Sequence, residues 1–145
     1  MKPFILLFVL LSFLYSAQID EFANGVGYLR SYNMALESAK KEQKLIMLLV
    51  VSDYCPWCKK FERKVLENPL VKEAVNRDFI AVAIDKNSDK GNYPQEFAAV
   101  MIPAVYFIDP KTQKSIYEVV AYRKKDEYLL NLKEALEIFK QNDKL

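Results

Sequence analysis

Asp53-Tyr54-Cys55-Pro56-Trp57-Cys58-Lys59-Lys60-Phe61-Glu62 holds the only two cysteines of the chain, three positions apart. When the second cysteine of such a pair starts down a helix the two sulfurs meet, so the pair can close a small disulfide ring and open it again. The apolar run Leu45 to Val51 just before it reads as a strand, and Pro56 fits the first helical position behind Cys55 as N-cap. The positive end of that helix, with Lys59 and Lys60 nearby, favours a thiolate on Cys55. Cys55 is therefore expected to be the nucleophile and Cys58 the resolving thiol.

Other chemistries for the pair are weighed by what the sequence lacks. It contains no histidine. A closed zinc site needs four ligands, and two thiols would have to recruit carboxylates or a second chain. Haem attachment needs a histidine after the second cysteine, where this chain has Lys59. A purely structural disulfide closing so short a loop removes little chain entropy and stabilises weakly. Two thiols can also bind Cu(I), which leaves a copper carrier as a minor alternative. We expect redox chemistry, with no cofactor and no metal.

The formal charge is +2 over 145 residues with no evident polybasic face, which argues against nucleic acid as a partner. With 52% hydrophobic and 13% aromatic residues, one compact domain can fill its core. Met1-Lys2-Pro3 followed by the apolar run Phe4 to Leu14 reads as a secretory signal, too short to span a bilayer comfortably. Ser16 and Ala17 offer a cleavage point, giving a signal peptide over residues 1–17; an uncleaved membrane anchor is the alternative. The expected location is periplasmic or otherwise exported, where disulfides are made and managed.

Residues 18–30 carry Gly25 and Gly27 and read as a loosely packed N-terminal lead-in, followed by one domain over residues 31–145. Ser31 to about Gln43 suggests an amphipathic helix. Leu45 to Val51 is apolar on both alternating faces, as in a strand covered by helices on both sides. Asn68-Pro69 breaks the chain before a short helix over Leu70 to Asn76, and Phe79 to Ile84 forms a second buried strand. Pro94 opens a helical stretch through Val100. Ala104 to Ile108 and Ile116 to Val120 form an antiparallel hairpin around Asp109-Pro110-Lys111-Thr112. Leu129, Leu132, Leu136 and Phe139 recur at helical spacing in a closing helix.

This order, with Cys55-Pro56-Trp57-Cys58 at the first strand-to-helix junction and Ile102-Pro103 opening a later strand, resembles thioredoxin-like proteins. The class is α/β, a thioredoxin-like fold with a central mixed sheet and helices on both faces. The resemblance is closest to the periplasmic C-terminal domain of DsbD-type thiol:disulfide interchange proteins. It covers about residues 30 to 140 through Ala39-Lys40-Lys41, Lys44, the cysteine stretch, Glu67-Asn68-Pro69-Leu70-Val71, and Ile102 to Asp109. It implies that Cys55 attacks, Cys58 resolves and Pro103 is a cis proline facing the pair. An X-Pro bond is cis in only about 5–6% of folded cases, so the resemblance carries that expectation. Three positions depart from the family: Leu49 where a buried aspartate is common, Ala104 after the proline where threonine is common, and Ala121 where a glycine usually precedes the last helix.

At helical spacing Cys58, Phe61, Val65 and Leu66 share one arc, while Lys59, Lys60, Arg63, Lys64 and Glu67 share the other. Glu62 falls inside the apolar arc one turn below Cys58, where burial raises its pKa and places it to accept and return the Cys58 proton. The related domains also carry an acid there. The plainer reading has Glu62 reaching water or pairing with a lysine. Trp57 and the backbone of Ile102 beside Pro103 are candidates for substrate binding, although Trp57 could simply pack on the next loop. The expected function is an exported thiol:disulfide oxidoreductase reducing protein disulfides, with protein thiols and disulfides as substrates and a membrane-bound or soluble redox partner protein. An oxidase or isomerase of disulfides, or a non-catalytic binding module of the same fold, is the alternative.

Overall fold

The structure, a computed structural model, describes residues 17–144. Its elements are α1 (Ala17–Val26), α2 (Tyr32–Glu42), β1 (Leu45–Val51), α3 (Pro56–Phe61) running into a π-helical turn (Glu62–Leu66), α4 (Pro69–Asp78), β2 (Phe79–Asp85), a 3-10 turn (Gln95–Phe97), β3 (Ala104–Ile108), β4 (Ser115–Val120) and α5 (Lys125–Asn142). The sheet order is β2-β1-β3-β4. β1 pairs parallel with β2, from Leu45 opposite Phe79 to Val51 opposite Asp85. It pairs antiparallel with β3, Val50 opposite Ala104, and β3 pairs antiparallel with β4.

All seven residues of β1 are buried, as a strand apolar on both faces requires. Leu45, Met47, Leu49 and Val51 face one core with Cys58, Phe61, Val65, Val71, Val75, Tyr128 and Leu132. Ile46, Leu48 and Val50 face a second core with Tyr32, Ala35 and Ala39 of α2 and with Phe97. The expected mixed sheet with helices on both faces is what the chain forms. Ser31 caps α2, accepting the Met34 N–H at 3.3 Å, and Asn68 caps α4, accepting the Leu70 N–H at 3.1 Å, with Pro69 in the first turn.

Two expectations are corrected. Residues 18–30 are not a loose lead-in: Ile19, Phe22, Ala23 and Val26 of α1 are buried in the first core, and Leu29 forms a parallel bridge with Val82. These four recur at helical spacing, and Gly25 in their midst obscures the pattern. Pro94 to Val100 is not a helix but a single 3-10 turn, since Ala98 leaves helical geometry at ψ 84° while Tyr93, Phe97 and Ala99 turn into the second core. The expected signal peptide falls, apart from Ala17, outside the described residues. Among the described residues no helix is long and apolar enough to cross a membrane.

Candidate active site

β1 ends at Val51 and delivers the chain to Cys55 through a turn anchored from below. The buried Asp85 carboxylate, at the end of the neighbouring β2, accepts the Asp53 N–H at 3.2 Å and the Asn87 and Ser88 N–H groups at 2.8 and 3.0 Å. The second strand was expected to end at Ile84, which gave Asp85 no role. An acid closing an otherwise apolar strand was the available signal.

Cys55 is the N-cap of α3 with Pro56 in the first turn, as expected, and its Sγ accepts the Cys58 N–H at 3.1 Å. The two cysteines form a disulfide with Cα atoms 5.1 Å apart. Cys58 is fully buried, whereas Cys55 is partly exposed, so a partner can reach only one of the two sulfurs. The Ile102-Pro103 bond is cis, and the Ile102 carbonyl oxygen lies 4.0 Å from Cys55 Sγ. The structure thus brings Cys55, Cys58, Ile102 and Pro103 together.

Glu62 sits one turn beyond Cys58, where the helix widens and the Glu67 N–H reaches back five residues to the Glu62 carbonyl at 2.9 Å. The side chain is buried and also pairs with a lysine: Oε2 lies 3.3 Å from Lys59 Nζ, while Oε1 is buried without a hydrogen-bond partner among the described residues. Burial pushes the Glu62 pKa above the ordinary carboxylate value, and the Lys59 charge opposes that rise without cancelling it. Leu49 lies in the same apolar core as Cys58, so no acid approaches the pair from β1.

Trp57 is about half exposed and does pack on a neighbouring loop: its ring centroid is 5.6 Å from that of Tyr122. Lys60 Nζ lies over both rings, 4.7 Å from Trp57 and 5.0 Å from Tyr122. Tyr122 also meets Phe61 edge-on at 6.2 Å. Sequence reading passed over Tyr122, because nothing local marks a tyrosine just beyond the last strand as a neighbour of the cysteines. It is held there by Ala121, whose N–H donates to the Pro103 carbonyl at 2.9 Å and whose φ is +68°. Among the described residues no cluster of metal-ligating side chains occurs.

A family model described as thioredoxin-like matches residues 28–110. No curated protein matches the chain. Among solved structures, a thioredoxin from Thermus thermophilus superposes with a TM-score of 0.66 at 23% identity, covering 75% of this chain and 86% of that one. The oxidised DsbD C-terminal domain of Neisseria meningitidis gives 0.59 at 20% identity, covering 74% and 98%. A putative disulphide-isomerase from Bacteroides thetaiotaomicron gives 0.62 at 26% identity, covering 74% and 88%.

Proposed function

Since this chain belongs to the thioredoxin-like family, we propose that it works outside the cytoplasm as a reductant of protein disulfides, through a mixed disulfide on Cys55. The observation that carries this reading is the unequal exposure of the two sulfurs, Cys55 at the helix N-terminus within reach and Cys58 fully buried behind it. The Cys55 thiolate attacks one sulfur of a client disulfide, forming a new S–S bond and releasing the other client sulfur as a thiolate. Cys58 then gives up its proton and attacks Cys55 Sγ, closing the Cys55–Cys58 disulfide and releasing the second client thiolate. Two electrons have passed from the dithiol to the client, and a partner dithiol protein returns them by the reverse exchange.

In this scheme Glu62 takes the Cys58 proton. It is the buried acid within one turn of Cys58, with burial raising its proton affinity above that of an ordinary carboxylate. Lys59 keeps the carboxyl oriented and lowers the cost of its ionised form. The reductant direction rests on the inter-cysteine residues: Pro56-Trp57 supplies no imidazolium to stabilise a very acidic thiolate of the kind strong oxidants use. The leader read in residues 1–17 supports export.

Reduction of insulin disulfides by the prereduced protein tests the activity, and equilibration with a glutathione buffer tests the direction. We expect rapid reduction and a potential well below about −180 mV. A potential at or above that value assigns the oxidising or isomerising role instead. No exchange at all leaves a binding module.

A further inference from the structure

Four of the seven large apolar side chains exposed among the described residues belong to the segments beside the disulfide: Tyr54 and Trp57 around Cys55, and Val100 and Met101 before Ile102. Val100 is 98% and Tyr54 89% exposed. Among the described residues the backbone of residues 100–102 makes no hydrogen bond to another backbone group, so this rim offers both apolar side chains and open peptide groups.

A basic rim adjoins it at Trp57. Lys60 lies over Trp57 and Tyr122, and Tyr122 is followed directly by Arg123 and Lys124. The Ala121 N–H bond to Pro103 ties this cationic loop to the same turn that faces Cys55. Among the described residues Lys60, Arg123 and Lys124 form no ion pair, unlike Lys59, which Glu62 neutralises, and Lys125, which pairs with Asp126 at 3.2 Å. Glu127, in the first turn of α5, accepts the Lys124 backbone N–H at 3.3 Å. Arg123 Nη1 donates to the Tyr122 carbonyl at 3.0 Å, which holds its charge close to the backbone of this loop.

We propose that this surface selects client segments with an apolar residue beside the reactive cysteine and acidic side chains reaching the Lys60–Arg123–Lys124 rim. The inference rests on the exchange chemistry proposed above and adds a substrate class to it. Complementary charge brings such segments to Cys55 faster than neutral or basic ones, and salt screens the advantage.

The test uses three peptides of one apolar framework around a single cysteine, differing only in whether two flanking positions hold Glu, Gln or Lys. Each is activated as a mixed disulfide with thiopyridine, so that Cys55 attack on the peptide sulfur releases a neutral chromophore. At about 20 mM salt we expect the Glu peptide to react about tenfold faster than the Lys peptide, and the ratio to approach one at about 0.5 M. The triple variant K60Q/R123Q/K124Q should lose most of that ratio. Because the ratio compares peptides on the same protein, any change in thiolate reactivity cancels. Equal rates for all three peptides at low salt, or an undiminished ratio in the variant, overturns the charged rim alone. No reaction with the Gln peptide overturns the exchange chemistry on which it rests.

Discussion

Lys59 Nζ lies 3.3 Å from Glu62 Oε2, while the other oxygen of that carboxyl, Oε1, is buried with no hydrogen-bond partner among the described residues. The acid is therefore held by one contact and left with an open oxygen in an apolar arc. Replacing Glu62 with Gln keeps the shape and removes the titration. We expect resolution of the mixed disulfide near neutral pH to slow by roughly ten- to a hundredfold. The pH profile of resolution should also flatten. Stopped-flow measurement across pH checks both, and an unchanged rate and profile removes Glu62 from the proton path.

The same residue ties stability to pH. Its folded pKa is raised above the usual 4.5, chiefly by burial, so between 4.5 and the folded value the native state holds a proton that the unfolded state has lost. Its contribution is full below the unfolded pKa and is lost as pH rises through the folded one. Urea midpoints of the wild type should fall over that window, and those of Glu62→Gln should fall less.

Cys58→Ala removes the resolving attack and should leave stable mixed disulfides between Cys55 and client proteins. Cys55→Ala should trap roughly tenfold less, because its remaining thiol is buried. Non-reducing gels followed by mass spectrometry of the adducts report both outcomes. Equal trapping by the two variants would reverse or erase the assignment.

Ala121 holds φ at +68°, a region in which a Cβ costs about 1–2 kcal/mol. Ala121→Gly removes that cost and gives back part of it as unfolded-chain entropy. The net expected gain is about 0.5–1 kcal/mol, read as a higher denaturation midpoint.

Phe22 is buried and meets Tyr28 edge-on at 5.8 Å, so α1 is part of the first core. Phe22→Ala should cost about 3 kcal/mol in urea unfolding. A loss under about 0.5 kcal/mol would show that residues 17–30 add little to the domain.

The redox pair and the central strand were legible because each has a strong local signature, spacing three and seven apolar residues in a row, whereas the cis proline was legible only through the family resemblance, since Ile-Pro by itself favours trans. The Glu62 position was legible from helical phase, which the widened turn at Glu62–Leu66 did not disturb. The widening itself was not, since one extra residue per turn changes no composition. Tyr122, Arg123 and Lys124 were missed for another reason. The place of Tyr122 beside Trp57, with Arg123 and Lys124 following it in the chain, comes from sheet topology and one backbone bond to Pro103, which no window of sequence contains.

The bridge at Leu29 bears on how the edges of the sheet are closed. An outer strand with open N–H and C=O groups invites another chain to add itself to the sheet. On β2 the Leu29 N–H takes the Ala81 carbonyl at 2.8 Å, the Ala83 N–H takes the Leu29 carbonyl at 2.9 Å, and Arg30 donates to the Ala83 carbonyl. Arg30 is itself braced by Asp20 and Asp89 at 2.7 and 2.9 Å. At the far side, an irregular register between Phe107 and Ile108 and the exposed Glu118 blunt β4. With both outer strands guarded in this way, neither sheet edge is left as an open template for a strand of another chain.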